Sequence, residues 1–180
     1  EEKAKIGKAA KEIANAPLLI DDTPRITISM LRAKARRWHR DHGIKVLGAD
    51  YAQIITSDAE KAKGSKEREV ADVSSGIKAL AKELVLPFIL LAQLKREVDD
   101  RTGKDSNKPR MSDIQWSGSL EQEADVIGLL YRKSYHAQTE EAKRASAGIA
   151  EIIIAKNRNG QTGFVPLRFI ADQMRFASGA

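Results

Sequence analysis

IKVLGADY, residues Ile44–Tyr51, is an apolar run that ends in one carboxylate, Asp50, followed by a tyrosine. In an alternating α/β chain such a run reads as a strand buried on both faces. Its carboxylate then falls at the strand's C-terminal end, the edge where open α/β sheets bind ligands. Two uses of Asp50 are open at this point. It holds a metal–nucleotide site, or it caps the element that follows, which is the commoner fate of a strand-end Asp.

Composition bounds what that edge can serve. With 180 residues, 42% hydrophobic and 31% charged, the chain is long enough for one domain with a full core. No apolar run approaches a bilayer span and no secretory signal pattern is present, so no membrane partner is expected. The absence of cysteine excludes a disulfide framework and a thiolate-held metal, in keeping with a cytoplasmic protein. A net charge of +6 permits a polyanion, nucleic acid or nucleotide, without requiring one. The chain starts at Glu1 and enters a helical pattern at once, which reads as a piece of a longer protein.

Upstream of the run, Glu1–Asn15 is rich in Lys, Glu and Ala and predicts a helix stopped before Pro17. Leu18–Asp22, apolar and closed by two acids, predicts a short strand. Ile28, Leu31, Ala35 and Trp38 recur at helical spacing, with Thr27 placed to cap the start and Gly43 the end. The other face carries Arg32, Lys34, Arg36, Arg37 and Arg40, read as a solvated outer surface in preference to a nucleic-acid surface. Downstream, Thr56–Glu69 is a polar loop. Val70, Val73, Ile77, Leu80 and Leu84 mark a second amphipathic helix, and Pro87 stops it. Phe88–Ala92 is an apolar strand ending at Gln93. Strand–helix–strand–helix–strand predicts a parallel sheet with crossovers.

Lys95–Met111 is a long charged loop, and loops of that length are functional or disordered. Ser112 and Gln115 have capping-box spacing, predicting a helical turn from Ser112. Asp125–Tyr131 reads as a further strand. Ala150–Lys156 and Phe164–Ile170 flank NRNGQTG, whose Asn159–Gly160 pair is a hairpin signal.

Asp50, Gln93 and Arg132 end three strands, and parallel strands bring such ends to one edge. An Asp beside a Gln suits phosphoryl chemistry. The carboxylate holds Mg2+ through water, and the amide senses a terminal phosphate or orients the attacking water. Alternatively, Gln93 satisfies local backbone groups. A phosphate cradle would decide between these, and the sequence has none. Gly7-Lys8 is followed by Ala9 and Gly103-Lys104 by Asp105, so no G-x-x-x-x-G-K-[ST] run exists, nor a G-x-G-x-x-G. Alone, the chain is expected to bind nucleotide weakly or not at all. Lys156 and Arg158 flank Asn157 at the hairpin tip, with Arg168 on the return strand. They form either a solvated tip or a phosphate clamp, as an arginine finger offered to a neighbouring subunit would. His39, His42 and His136 show no metal-ligand spacing, and no Ser or Thr sits in a nucleophile motif.

IDDTP (Ile20–Pro24), TISMLRAKARR (Thr27–Arg37), Asp50-Tyr51-x-Gln53, LAKEL (Leu80–Leu84), AQLKREV (Ala92–Val98), SGSLEQEADVI (Ser117–Ile127) and AKNRNGQTG (Ala155–Gly163) run in order along the chain. The ordered set resembles the DnaB-type replicative DNA helicases. The resemblance implies a RecA-like α/β core, a mostly parallel sheet flanked by helices with a C-terminal β-hairpin, truncated before its Walker A strand. The implied layout is one C-terminal part of an ATPase domain over residues 1–180: a leading helix over 1–16, an α/β core over 17–132 and a hairpin over 149–172. The implied activity is that of a homo-hexameric ring that encloses single-stranded DNA, moves along it with ATP and Mg2+, and unwinds duplex at the fork. Primase and a helicase loader are the implied partners, and the cytoplasm, or a host's cytoplasm, the implied place.

On the same resemblance, Asp50 is the Walker B aspartate that supports Mg2+, and Gln93 couples the terminal phosphate to the DNA loops. Lys156 and Arg158 are the pair inserted into a neighbour's ATP site. Lys95, Arg96, Arg101, Lys108, Arg110, Gln115, Trp116 and Gly118 fall in the central-channel region that grips DNA. Gln115-Trp116 departs from the family's usual Arg-Glu pair, exchanging a phosphate contact for a ring that can stack on a base, as a divergent phage- or plasmid-borne member would. The family's P-loop, its strand and its catalytic glutamate are expected to precede residue 1. That strand lies between the one ending at Gln93 and the one starting near Asp125. A chain without it is expected to close the sheet with altered pairing, or to have the gap filled by another chain. A RecA-like recombinase or clock-type ATPase, and a catalytically silent module that binds DNA or a helicase, are the competing readings.

Overall fold

The caps read at Thr27 and Gly43 both form in the computed structural model, which describes residues 2–59, 64–95, 107–115, 117–137 and 139–179. Thr27 Oγ1 accepts the Met30 amide at 3.3 Å, and Gly43 is left-handed (φ 60°) with its N–H bonded to the His39 carbonyl. A side chain disfavours that conformation, so glycine ends the helix at little cost. The Asp58 carboxylate accepts the Ser29 amide at 3.0 Å, a second bond at the helix start. In chain order the elements are α1 (Glu2–Ala14), β1 (Ile26–Thr27), α2 (Ile28–His42), β2 (Leu47–Ala49), β3 (Ile55–Thr56), α3 (Lys66–Leu84), β4 (Phe88–Leu90), α4 (Ser117–Glu123), β5 (Val126–Arg132), α5 (Glu140–Ala145), β6 (Ile149–Asn157), β7 (Gly163–Ile170) and β8 (Arg175–Ser178).

Helix α3 starts at Lys66, not at Val70, because Ser65 caps it by accepting the Arg68 amide. Ile28, Val73 and Ile77 pack α2 and α3 on β1 and β3 through Ile26 and Ile55, while Ala35 and Leu80 enclose Leu47 of β2. Arg36 forms a bidentate bond to Glu83 at 2.6 and 2.8 Å, and Arg32 lies 3.5 Å from the same carboxylate. Lys34 joins Asp21, and Arg40 joins Asp41. Much of the basic face of α2 is thus neutralised within the fold, as a structural outer surface would be.

The α/β expectation holds. β2 and β4 pair in parallel, Leu47 opposite Phe88 and Ala49 opposite Leu90, with α3 between them in sequence. β1 and β3 form a second, two-residue parallel pair. β5, β6, β7 and β8 form an antiparallel sheet in that order, so the expected hairpin gains β5 on one side and β8 on the other.

Two expectations are corrected. Leu18–Asp22 is not a strand. No described segment pairs with it, Leu18, Leu19 and Ile20 stay exposed, and Asp21 turns instead onto Thr23 and Lys34. Nor does the sheet close up. β4 pairs only with β2 and β5 only with β6 among the described residues. Between them lies a cavity of about 790 Å³ lined by residues of both strands, among them Phe88, Leu90, Ile127 and Leu129. The walls cannot collapse because α3 spans them. Ser74 Oγ donates to the Ser119 carbonyl of α4 at 3.3 Å, Lys78 pairs with Asp125 at the foot of β5, and an antiparallel bridge joins Leu94 to Ile114.

Leu80, fully buried at the α2–α3 contact, has no room to be replaced without a void. Leu80→Ala should lower the unfolding free energy by about 2–5 kcal/mol, read from denaturant titration. Acid should act through two ion pairs. The Asp21 carboxyl, held by Lys34 and Thr23, and that of Glu83, held by Arg36, are both lowered to about 2. A carboxyl depressed on folding stabilises the fold above its unfolded value of about 4, and that contribution is lost as pH falls from about 4 towards about 2. Glu83→Gln should flatten the fall in denaturation midpoint over this window.

Candidate functional site

The ladder between β2 and β4 builds the first half of the site. Because the pair is parallel, both C-terminal ends lie at one edge, and the pairing continues past the strands: the Leu91 amide donates to the Ala49 carbonyl at 3.0 Å, and the Ala52 amide to the Leu91 carbonyl at 2.8 Å. Asp50 and Gln93 follow directly at that edge, and both are exposed. The capping use of Asp50 does not occur. The short helical turn Ala52–Ile54 has Tyr51 at its cap position and no side-chain cap bond. Nearby, both ends of the Gln53 amide are buried with no hydrogen-bond partner among the described residues. Orphans of this kind accompany catalytic sites, ions or waters. An exposed carboxylate, an exposed amide and an orphaned amide at one strand edge are a donor set that fits a hydrated divalent cation with phosphate.

Arg132, the third strand-end residue, is not brought to that edge by any ladder. Its guanidinium lies 3.7 Å from the centre of the Phe169 ring within the antiparallel sheet, and 5.8 Å from that of Tyr135.

The channel candidates divide. Arg96, Arg101 and Trp116 lie outside the described residues. Lys95 Nζ donates to the Ser112 carbonyl at 2.9 Å, and its amide to the Asp113 carbonyl at 2.7 Å. The helical turn here is Met111–Asp113, and buried Asp113, not Ser112, is its capping side chain, accepting the Arg110 amide at 2.7 Å. The Gln115 amide donates to the Gln93 carbonyl at 3.1 Å. That bond ties the segment behind β4 to the segment ahead of α4. Gly118 sits exposed in the first turn of α4. Lys108 lies apart from these, paired with Glu151 of β6 at 2.7 Å and over the Tyr131 ring at 5.8 Å.

The hairpin cations are organised by α4. Lys156 Nζ donates to the Glu121 and Gln122 carbonyls at 2.5 and 3.2 Å, capping the negative end of that helix. Arg158 donates to the Gln122 carbonyl at 3.3 Å, and another of its nitrogens lies 3.3 Å from Asp125. A β-bulge sets this up. The register passes from Ile127 opposite Lys156 to Gly128 opposite Ile154, so Ala155 is an extra residue that re-aims its neighbour. No hydrogen bond or ion pair among the described residues links Lys156 or Arg158 to Asp50 or Gln93. Asp125 was not singled out from sequence, yet it meets two cations. Lys78 first, then Arg158 and Lys156, hold its carboxyl below the usual range. The sole trace of it in the sequence is its place in SGSLEQEADVI, one residue ahead of β5.

Comparison with known proteins agrees over the whole chain. The DnaB-like helicase C terminal domain model matches residues 1–178. The chain is 42% identical over 178 residues to replicative DNA helicase DnaB of Geobacillus stearothermophilus, and 40% identical over 178 residues to replicative DNA helicase DnaC of Bacillus subtilis (strain 168). Each alignment takes in 99% of this chain and 37% of the relative, so the chain spans just over a third of their length. Among solved structures, an ATPase domain superposes over 100% of this chain and 61% of that one, with a TM-score of 0.87 at 33% identity. A DnaB-like replicative helicase, determined with its interactions with primase, gives a TM-score of 0.87 at 34% identity, over 100% of this chain and 41% of that one.

The two hairpin cations should differ in their structural weight. Lys156→Met strips two helix-end carbonyls of a charged donor and should cost about 1–3 kcal/mol of stability. Arg158→Ala removes a half-exposed side chain and should change stability by less than about 1 kcal/mol. Equilibrium denaturation of the two variants distinguishes them.

Proposed function

The chain belongs to the DnaB-like helicase C-terminal domain family, and on that premise we propose that it is part of a hexameric, ATP-driven replicative DNA helicase. The assembly moves along single-stranded DNA in the cytoplasm and unwinds duplex at the fork, with primase and a loader as partners. Residues 1–180 form the C-terminal part of its RecA-like ATPase domain. The observation that carries this reading is the parallel β2–β4 ladder, which sets Asp50 and Gln93 at one edge with the Asp50 carboxylate unused by any cap. No helix among the described residues is long and apolar enough to cross a membrane.

In this reading Asp50 would hold Mg2+ through water, and the chemistry such an ion would supply there is neutralisation of phosphate charge on ATP. Gln93 presents its amide to the terminal phosphate. Its carbonyl, bonded to the Gln115 amide, passes a shift of that segment to the chain ahead of α4. Lys95, Arg110, Gln115 and Gly118 are assigned to the DNA backbone; Arg96 and Arg101, assigned with them, and Trp116, assigned to a base, lie outside the described residues. Lys108 has the weaker claim, being engaged by Glu151. Lys156 and Arg158 serve the ATP site of the next subunit, so the site is complete only between two copies. The strand leading into the phosphate-binding loop, supplied by the longer polypeptide, occupies the cavity between β4 and β5. The support for this is that each of those strands pairs on one side only among the described residues, and an inserted strand would satisfy both open edges.

ATP hydrolysis by this chain should be at background. A polypeptide extended upstream through the P-loop should hydrolyse ATP and open a forked duplex, and Asp50→Asn should abolish both. Equal hydrolysis by the short and extended forms would sink the proposal.

A further inference from the structure

Asp125 stands between two cations that come from different parts of the fold. Lys78, on α3, is largely buried and pairs with Asp125 Oδ2. Arg158, from the hairpin, is half exposed and lies 3.3 Å from Oδ1. The Arg158 backbone is fixed independently, its amide donating to the Asp125 carbonyl at 2.8 Å. The side chain can therefore swing while its Cα stays in place. The two ion pairs differ in permanence. They share the half-exposed Asp125 carboxylate, but the Lys78 side chain is 15% exposed and that of Arg158 50%, so the Arg158 contact is the more open to solvent, where such pairs are weak.

We propose that Asp125 is a positioning residue that parks the Arg158 guanidinium against the end of α4 and hands it over when a phosphate group is presented by the neighbouring subunit. Lys78 makes the hand-over inexpensive. When Arg158 leaves, the Asp125 carboxylate keeps one cation and is not stranded. Lys156 is held by two α4 carbonyls, a contact separate from the Asp125 carboxylate. The phosphate offers the planar Arg158 guanidinium two oxygens of a doubly charged, tetrahedral group, a bidentate partner that a carboxylate shared with Lys78 does not match. This inference rests on reading Arg158 as an arginine finger that acts on the neighbour.

The test uses the full-length hexamer, with ATP hydrolysis measured with and without single-stranded DNA, and assembly confirmed by sedimentation. Asp125→Asn unparks the guanidinium. DNA-free turnover should rise about two- to five-fold, the range an exposed ion pair spans, and the stimulation by DNA should shrink by the same factor. Lys78→Met leaves Asp125 with Arg158 alone, so DNA-free turnover should fall by a similar factor. Arg158→Ala should be inactive, and Arg158→Ala with Asp125→Asn should be equally inactive, since nothing remains to unpark. An inactive Arg158→Ala with an unchanged or slower Asp125→Asn overturns the parking role and leaves the finger reading intact. An active Arg158→Ala overturns the finger reading, and the parking role with it. If Asp125→Asn fails to assemble, Lys78→Met decides alone, and a wild-type DNA-free rate in that variant overturns the proposal.

Discussion

Helix α3 bears the constraint on which the rest of the structure depends. Among the described residues the two parallel pairs and the antiparallel sheet share no ladder, and one helix touches all three. On one side Val73, Ile77 and Leu80 bury themselves against β1, β2 and β3. On the other, Ser74 and Lys78 reach α4 and the foot of β5. The first contact is apolar and non-directional; the second is polar and directional. Burial fixes the distance from the parallel strands, and the hydrogen bond and ion pair fix where α4 stands along the helix. Helix α3 thus sets the spacing between the edge carrying Asp50 and the hairpin carrying Arg158, beside the backbone bonds that tie Gln115 to Gln93 and Lys95 to Asp113.

The candidate chemistry divides along the same line. Asp50 and Gln93 owe their placement to a parallel ladder, a backbone device indifferent to most side chains. Lys156 and Arg158 owe theirs to a bulge, a helix end and a carboxylate, all side-chain specific. The first half tolerates substitution so long as the strands pair. The second half depends on a few individual groups.

That division explains what could be read in advance. Thr27 and Gly43 announce α2 because a cap is satisfied within three or four residues of itself. Asp50 and Gln93 were legible because a strand end is a local event. Leu18–Ile20 misled because β-propensity speaks only of a willingness to pair, and no described strand lies beside it. Ser112 and Gln115 have the capping-box spacing in sequence, yet the turn forms one residue earlier, with the Asp113 side chain buried on the Arg110 amide. The pairing of Lys108 with Glu151 has no local signature, because the partner lies on β6, far along the chain. The bulge at Ala155 and the two-cation role of Asp125 are tertiary facts with no local signature, and the organisation of the hairpin tip was therefore out of reach.

The seven residues of α4 also have a mechanical meaning. At 1.5 Å per residue the helix is a rod about 10 Å long, too short to bend and too well bonded to stretch. Its near end follows Gln115, which is tied to the Gln93 carbonyl at 3.1 Å, and its far end grips Lys156. A displacement of about 1 Å at the near end becomes a tilt of about 6°. A displacement at the Gln93 edge would thus reach the hairpin as an angle, its size set by the length of the rod and not by the stiffness of any one contact.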